Sequence, residues 1–245
     1  MIKITNFSKS YAKSEVKAVN NLNLEVKAGE IFGFLGPNGA GKTTTIKAIV
    51  GALDYEEGNI EVCGYDLKSD GINAKKNIGF VTDTEIVYDK LTGREFVDFL
   101  ADIYGVDKET RKACAEKMLK IFALESAFDS PIKSYSHGMK QKIAIIGALI
   151  HNPKVWILDE PMTGLDPQSA YQLKQLMREH CQNGNTVFFS THILEVAEKL
   201  CDRVGIIVKG ELKAVGSIDE IREREMDGSL EEAFLSITGN GGENE

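Results

Sequence analysis

The fold is decided by the stretch Ile31–Thr44, which reads IFGFLGPNGAGKTT. Its first part, Ile31–Leu35, is a compact apolar run that predicts a buried strand. A helical pattern follows over Thr43–Leu53. Between the two lies Gly36–Thr43, which matches the phosphate-loop pattern G-x-x-x-x-G-K-[ST] in the strand-then-helix context that the pattern requires. The alternative is an ordinary glycine-rich turn before a helix, and the context favours the phosphate loop.

The residue types in this loop suit the phosphates of a nucleoside triphosphate. Glycines let the backbone curl and direct its N–H groups at phosphate oxygens, and the following helix adds its positive N-terminal end. Lys42 is expected to neutralise the β- and γ-phosphates, and the Thr43 hydroxyl to bind Mg²⁺. The predicted nucleotide-binding residues of the loop are Gly36, Pro37, Asn38, Gly39, Ala40, Gly41, Lys42, Thr43 and Thr44.

A pair of acidic residues follows a second buried-strand pattern. The run Val155–Leu158 is wholly apolar and ends directly in Asp159 and Glu160. Because α/β folds bind ligands at the carboxyl ends of their strands, both carboxylates are expected at a ligand site. We predict that Asp159 holds Mg²⁺ and that Glu160 is the general base for an attacking water. The alternative is a strand followed by an ordinary charged turn. The presence of a phosphate loop in the same chain makes this alternative less favoured.

The rest of the chain predicts an α/β domain with a parallel sheet, because short strands alternate with helices in its second half. Residues 1–30 show loose strand-like alternation, whereas residues 92–124 and 138–150 are helical in pattern and indicate a helical insertion. The further predicted elements are strands at 60–62, 78–81, 186–190 and 204–208 and helices at 168–182, 193–200 and 218–224, with an acidic amphipathic stretch at 230–235. We expect one domain over 1–238, with its helical part at about 84–150, and a disordered tail over 239–245.

Composition excludes several other classes of protein. The net charge of −8 argues against nucleic acid as a partner, because such binding requires a basic face. The four cysteines form no C-x-x-C pair, and this predicts ordinary reduced thiols. The longest apolar run, Ile143–Ile150, is far shorter than a membrane span, and the N-terminus does not resemble a signal peptide. Any membrane role is therefore expected to work through another chain.

Three further segments accompany the two motifs. Tyr135–Gln141 reads YSHGMKQ, Pro161–Pro167 reads PMTGLDP, and Ser190–His192 reads STH. In this order and spacing the motifs resemble those of ATP-binding subunits of ABC transporters, and the resemblance covers about residues 2–239. It implies a P-loop NTPase core with a parallel sheet, an N-terminal antiparallel β subdomain and an inserted helical subdomain. It also implies ATP hydrolysis, with ATP and Mg²⁺ as cofactors.

The resemblance assigns roles to six more residues. Tyr11 is similar to the aromatic residue that stacks on adenine, and Val16 to its apolar neighbour. Ser136 and Gly138 resemble the signature loop that caps the γ-phosphate bound by the other subunit. Asp166 resembles the residue that communicates across the dimer, and His192 the histidine that contacts the γ-phosphate and orients Glu160. The predicted catalytic residues are therefore Glu160, His192 and Lys42.

The chain departs from the usual family pattern at two places. The signature usually reads LSGGQ, whereas here His137 replaces the first glycine and Met139 the glutamine. This variant resembles the bacterial exporters of drugs and peptide antibiotics. In addition, Asp83 stands where the family usually has glutamine, and we predict it as a third metal-site residue with Thr43 and Asp159; Glu85 is an alternative in a shifted register.

The resemblance also implies how the protein works. Two copies, or this chain and a similar ATPase, would sandwich two ATP molecules, and the helical block would receive a transmembrane permease at the cytoplasmic face of the membrane. The motor of an exporter is favoured. The alternatives are the motor of an importer, a soluble ABC ATPase of DNA repair or ribosome rescue, and a module that holds ATP without turnover.

Overall fold

The computed structural model describes residues 1–11, 16–83, 88–224 and 229–239. Its strands in chain order are β1 (Ile2–Lys9), β2 (Val19–Val26), β3 (Ile31–Leu35), β4 (Glu57–Val62), β5 (Tyr65–Asp66), β6 (Ile78–Val81), β7 (Val155–Leu158), β8 (Thr186–Thr191), β9 (Arg203–Val208) and β10 (Glu211–Gly216). Its α-helices are α1 (Lys42–Ile49), α2 (Gly71–Lys76), α3 (Gly93–Ile103), α4 (Lys108–Phe122), α5 (His137–Leu149), α6 (Pro167–Gln182), α7 (Leu194–Leu200), α8 (Ile218–Arg224) and α9 (Leu230–Gly239).

The strands form two sheets. The smaller sheet is antiparallel in the order β2-β1-β4-β5. The larger has the order β10-β9-β3-β8-β7-β6, in which every pair is parallel except β9 with β10. Helical crossovers join the parallel strands and cover the sheet, as parallel pairing requires. The predicted mixed fold, with a parallel sheet and an N-terminal antiparallel sheet, is confirmed.

Alternate residues of the buried strands face two separate cores. In β7, Val155 and Ile157 pack in a core with residues of the antiparallel sheet and of α1. Trp156 and Leu158 face the opposite core, which they share with residues of α3, α4, α5 and α6. The period of two in a strand explains this division, and it explains why β7 is apolar on both faces. Helix α1 is thereby held in a buried setting, and its first residue, Lys42, lies at the carboxyl edge of the sheet.

The register of the parallel strands aligns their carboxyl ends. Val81 of β6 pairs with Leu158 of β7, and Leu158 in turn pairs with Phe189 of β8. The Asp159 N–H continues this ladder, because it donates to the Val81 carbonyl at 2.9 Å. The residues that follow these strands therefore meet at one edge.

The helical block between β6 and β7 consists of α3, α4, α5 and two 3₁₀ turns at Glu125–Ala127 and Ile132–Ser134. Thr92 begins α3 with a capping box, because its hydroxyl accepts from the Glu95 N–H and the Glu95 side chain accepts from the Thr92 N–H. Helix α5 packs on β6, α3 and α4, so the block is anchored to the edge of the main sheet.

Most predicted boundaries are correct within three or four residues, but three elements were not predicted. They are β5, α2 and β10, of which β10 extends the large sheet by pairing with β9. Gly239, which was predicted to begin the disordered tail, is instead the last residue of α9. The remaining tail residues, 240–245, lie outside the described part of the chain. Within the described ranges, no helix has the length and apolar character of a membrane span.

Two histidines of this fold, the partly buried His151 and the buried His180, each have a ring nitrogen without a hydrogen-bond partner among the described residues. His151 stacks on Tyr104 with 3.6 Å between ring centroids, and its Nε2 lies 3.1 Å from the Ile78 carbonyl oxygen. His180 packs edge-on against Trp156. Nδ1 of His151 and Nε2 of His180 have no partner among the described residues. Burial lowers the pKa of each to about 4 from the usual 6.5, an effect that the Ile78 contact partly opposes for His151.

These histidines predict a loss of stability in mild acid. A folded pKa below the unfolded pKa means that the unfolded chain binds more protons, so stability falls as pH drops from 6.5 toward 4. We expect each histidine to contribute about 1 kcal/mol per pH unit in that window. Urea unfolding at pH 7 and pH 5 measures the effect, and a variant carrying His151→Phe and His180→Leu should lose most of the difference. An unchanged difference in that variant would contradict the assignment.

Candidate functional site

The site is built around the loop that joins β3 to α1. Gly41 caps α1 with φ of 109°, a conformation that favours glycine, and no side chain caps the helix. A Cβ at Gly36 would lie 2.3 Å from the Ile207 carbonyl oxygen, so only glycine fits there. On the other side of the loop, the Ala40 carbonyl accepts from the Gly210 N–H at 2.9 Å. Close backbone packing therefore fixes the shape of the loop.

The first turn of α1 presents unpartnered donors. The N–H groups of Lys42, Thr43 and Thr44 have no acceptor inside the helix, since they precede its first hydrogen bonds, and none elsewhere in the described residues. The partial positive charge of the helix terminus lies at the same place. This arrangement fits an anion such as a phosphate group.

Lys42 is almost completely buried, with 7% of its side chain exposed. Its Nζ donates to the carbonyl oxygens of Gly36 at 2.7 Å and Pro37 at 3.3 Å, and lies 3.6 Å from Glu160 Oε1. The charge is therefore held over the loop, next to the predicted general base. An anion in the loop would meet a cation that is already desolvated and oriented.

The carboxylate pair follows β7 at the same edge. Asp159 is 1% exposed and accepts a 2.5 Å hydrogen bond from the Ser190 hydroxyl and another from Thr43. Burial is the main reason that its pKa is raised; these two hydrogen bonds oppose the shift, and the charges of Asp83 and Glu160 add to it. A buried carboxyl beside two other acids is a place where a cation would be stabilised.

Glu160 occupies a strained backbone position. Its φ is 47°, which is uncommon for a residue with a side chain. Its N–H donates to Ser190 Oγ at 3.0 Å, and its Oε2 lies 3.0 Å from Nδ1 of His192. The carboxylate is thus oriented from both sides, by Lys42 at Oε1 and by His192 at Oε2.

No role was predicted for Ser190, yet its hydroxyl hydrogen-bonds to both predicted site residues Asp159 and Glu160. It is wholly buried at the end of β8, where it donates to Asp159 and accepts from the Glu160 N–H. One hydroxyl therefore fixes the relative position of both carboxylates. Its position directly before Thr191 and His192, at the predicted end of a strand beside β7, was the only signal available in the sequence.

Tyr11, Val16 and Asp83 were also predicted as site residues. Tyr11 lies beside the loop, because its hydroxyl is 3.2 Å from Thr44 Oγ1, and nearly half of its side chain is exposed. Val16 is exposed and follows the undescribed residues 12–15. Asp83 is at the same edge, where its carboxylate accepts from the Thr82 hydroxyl at 3.3 Å; Glu85 lies outside the described residues.

The signature segment is organised separately from the loop. Ser136 caps α5, where its hydroxyl accepts from the Met139 N–H, and Gly138 lies in the first turn of that helix. Asp166 caps α6 by accepting from the Ser169 N–H and hydroxyl, and it also pairs with Lys142 at 3.0 Å. These hydrogen bonds hold the pKa of Asp166 well below its usual range. The structure thus joins the phosphate loop to the carboxylates, and places the signature residues on α5 within the helical block.

Comparison with known proteins identifies the family. The model of the family described as "ABC transporter" matches residues 19–163. The linearmycin resistance ATP-binding protein of Bacillus subtilis is 38% identical over 224 residues, which cover 91% of this chain and 71% of that protein.

Comparison with solved structures identifies the same family. A structure described as the ATP-binding subunit of an ABC transporter is similar with a TM-score of 0.92 and 32% identity, covering 97% of this chain and 99% of that one. A dimeric ATP-binding cassette in a post-hydrolysis state, bound to ADP and Pi, is similar with a TM-score of 0.77 and 27% identity, covering 89% of this chain and 98% of that one. This chain therefore belongs to the ABC transporter family, as an ATP-binding subunit that hydrolyses ATP.

Proposed function

We propose that this chain is the motor of an exporter, in which residues 1–238 form one ATP-binding unit that drives a separate membrane subunit. The observation that carries the proposal is the convergence of Lys42, Asp159, Glu160 and His192 beside a loop with unpartnered N–H groups. A module that only holds ATP would not need an oriented acid next to the phosphate site. The helical part is assigned to about residues 84–150.

ATP binding is assigned to the loop and its neighbours. The main chain and side chains of Gly36–Thr44 receive the phosphates, with Lys42 exchanging its loop carbonyls for phosphate oxygens. Tyr11 is exposed beside Thr44 and offers its ring to adenine, with Val16 as an apolar neighbour.

Mg²⁺ fits the edge where Thr43, Asp83 and Asp159 lie. This ion is usually held by one or two carboxylates together with substrate phosphates, and the buried Asp159 carboxyl has the chemistry required. When bound, the ion would neutralise charge on the phosphates. Thr43 would hold it through its hydroxyl, Asp159 through its carboxylate, and Asp83 at the rim of the site.

Hydrolysis is assigned to charges that the protein holds in advance. Glu160 takes the proton of the attacking water, while His192 orients Glu160 and reaches toward the γ-phosphate. Lys42 and the N-terminus of α1 stabilise the charge that develops on the transferred phosphoryl group. The short distances from Glu160 to His192, 3.0 Å, and from Glu160 to Lys42, 3.6 Å, support this assignment.

The second half of each site is proposed to come from another subunit. Ser136 and Gly138 present the N-terminus of α5, which suits the γ-phosphate bound by a partner, and Asp166 lies on the segment between the two sites. The dimeric relative bound to ADP and Pi supports this arrangement. The partner is a second copy or a similar ATPase.

A membrane subunit fits the outer surface of the helical block. Tyr88, Phe99 and Ile103 are exposed by 45%, 44% and 61%, and Phe99 and Ile103 lie one turn apart on α3. We call these three residues the α3 patch. An exposed apolar patch of this kind favours a protein partner. Docking there would place the chain at the inner face of the membrane.

The export direction rests on two observations. The signature variant Ser136–Gln141 resembles that of bacterial exporters, and the similar protein of Bacillus subtilis is named for resistance to linearmycin, which suits removal of a compound from the cell. The net charge of −8 does not favour nucleic acid as a partner of this chain.

Glu160→Gln tests the general base. The amide keeps the shape of the side chain but cannot take a proton, so hydrolysis should fall at least about a hundredfold while ATP is still bound. Trapped ATP should hold two copies together, and gel filtration with Mg²⁺ and ATP should show the dimer.

The matched control is Lys42→Ala, which removes the phosphate ligand instead of the base. It should show neither hydrolysis nor an ATP-dependent dimer. If the Glu160→Gln protein stayed monomeric with ATP and still turned over at the normal rate, the assignment of the base would be wrong.

Ser190→Ala tests the hydroxyl that joins the two carboxylates. Loss of both hydrogen bonds should release Glu160 from its strained backbone position and lower kcat by about tenfold or more, with little change in ATP affinity. Thr186→Val removes another buried hydroxyl from the same strand, one that donates to the Lys27 carbonyl at the opposite end, and should leave kcat unchanged. Equal effects of the two variants would count against a role for Ser190.

The double variant Phe99→Glu and Ile103→Glu tests the α3 patch. Charges in a buried interface should abolish co-purification with the membrane subunit, whereas the isolated protein should keep its ATPase activity. Ile72→Glu, at an apolar residue of α2 that is 74% exposed, is the control and should co-purify normally. Normal co-purification of the double variant would place the membrane partner elsewhere.

A further inference from the structure

The signature segment touches the segment that follows the carboxylates through an unusual residue. The ring of His137 lies against Gly164, so closely that a Cβ at Gly164 would be 2.1 Å from His137 Cδ2 and 2.4 Å from Nε2. Gly164 has φ of 78°, and both residues are exposed. His137 stands where the usual signature has glycine, which has no ring to make this contact.

Two neighbouring contacts reinforce the same junction. A Cβ at Gly138 would lie 2.9 Å from the Gly164 carbonyl oxygen, so the first turn of α5 approaches the backbone of Gly164 directly. One turn further along α5, Lys142 pairs with Asp166 at 3.0 Å, and 14% of the Lys142 side chain is exposed. The N-terminal half of α5 and the segment Gly164–Asp166 are therefore joined at three points.

Gly164 is connected to Glu160 by a tight turn. The Thr163 N–H donates to the Glu160 carbonyl at 3.2 Å, and the Leu165 N–H donates to the Met162 carbonyl at 3.4 Å. Three residues thus separate the His137 contact at Gly164 from the strained backbone of Glu160, and these two hydrogen bonds hold the turn that contains them. A shift of α5 at Gly164 would be passed to the residue whose carboxylate faces Lys42 and His192.

We propose that His137 is a positioning residue that links the signature helix to the hydrolytic carboxylate of its own chain. The proposal rests on the proposed function, in which α5 meets the nucleotide bound by a partner. Closure on that nucleotide moves α5, the His137 ring carries the movement to Gly164, and the turn sets Glu160. ATP binding at one site thereby prepares hydrolysis at the other.

A double-mutant cycle with His137→Gly and Gly164→Ala tests the link. Alanine at Gly164 forces the ring away, and the strain of alanine at positive φ is the same in both backgrounds and cancels in the cycle. With His137 present, Gly164→Ala should lower kcat by about tenfold, and with glycine at 137 by much less. The Hill coefficient for ATP should fall toward one in the His137→Gly variant.

The readouts separate coupling from damage to the fold. Affinity for a fluorescent nucleotide should remain normal in all four proteins, since the phosphate loop is untouched. Gly184→Ala is the matched control, because Gly184 has φ of 81° and no atom within 4 Å of a Cβ built there. It carries the same backbone strain without the contact and should keep both kcat and the Hill coefficient.

Additive effects on kcat with an unchanged Hill coefficient would overturn the proposal. So would a loss of cooperativity in the Gly184→Ala control. Failure of the proposed function gives a different result, because the Glu160→Gln protein would then form no ATP-dependent dimer. If that dimer forms and the cycle is additive, the motor assignment stands and the His137 link is wrong.

Discussion

The whole site depends on burying the Asp159 carboxyl at the carboxyl edge of a parallel sheet. Removing such a group from water costs several kcal/mol unless hydrogen bonds or a cation compensate. The Ser190 hydroxyl at 2.5 Å and Thr43 provide part of the compensation within the chain. The rest is left for a cation bound with the phosphates. The register that aligns β6, β7 and β8 brings these groups together, so the same strand pairing determines both the sheet and the site.

Features with a local signal could be predicted from the sequence. The loop Gly36–Thr43 is specified by a contiguous pattern, and β3 and β7 by apolar runs too short for helices. Once both strands belong to one parallel sheet, the residues after them must meet at its edge. That is why Lys42 and Glu160 were predicted together, and the structure places them 3.6 Å apart.

Features that depend on distant contacts could not be predicted. Ser190 is an ordinary residue at the end of a strand, and its importance comes from hydrogen bonds with Asp159 and Glu160, which lie about 30 positions away in the chain. Tyr11 and Thr44 were both predicted at the nucleotide site, but the contact between their hydroxyl groups, which joins residues 33 positions apart, was not. Strand β10 was missed because four of the six residues of Glu211–Gly216 are Glu, Lys, Ala and Gly, which do not favour strands, so its pairing with β9 specifies it. In each case tertiary pairing outweighs the local pattern.

The turn after Glu160 makes contacts with both the carboxylate site and helix α5, and these contacts explain its sequence. At its start, Glu160 must take φ of 47° so that its carboxylate meets Lys42 and His192. At its end, Gly164 must lack a side chain so that α5 can approach, and Asp166 must cap α6 while it pairs with Lys142. A segment fixed at both ends transmits displacement instead of absorbing it, because packed contacts have few alternative arrangements. His137 shortens that path on the α5 side, since its ring fills the space above Gly164 that glycine at 137 would leave open.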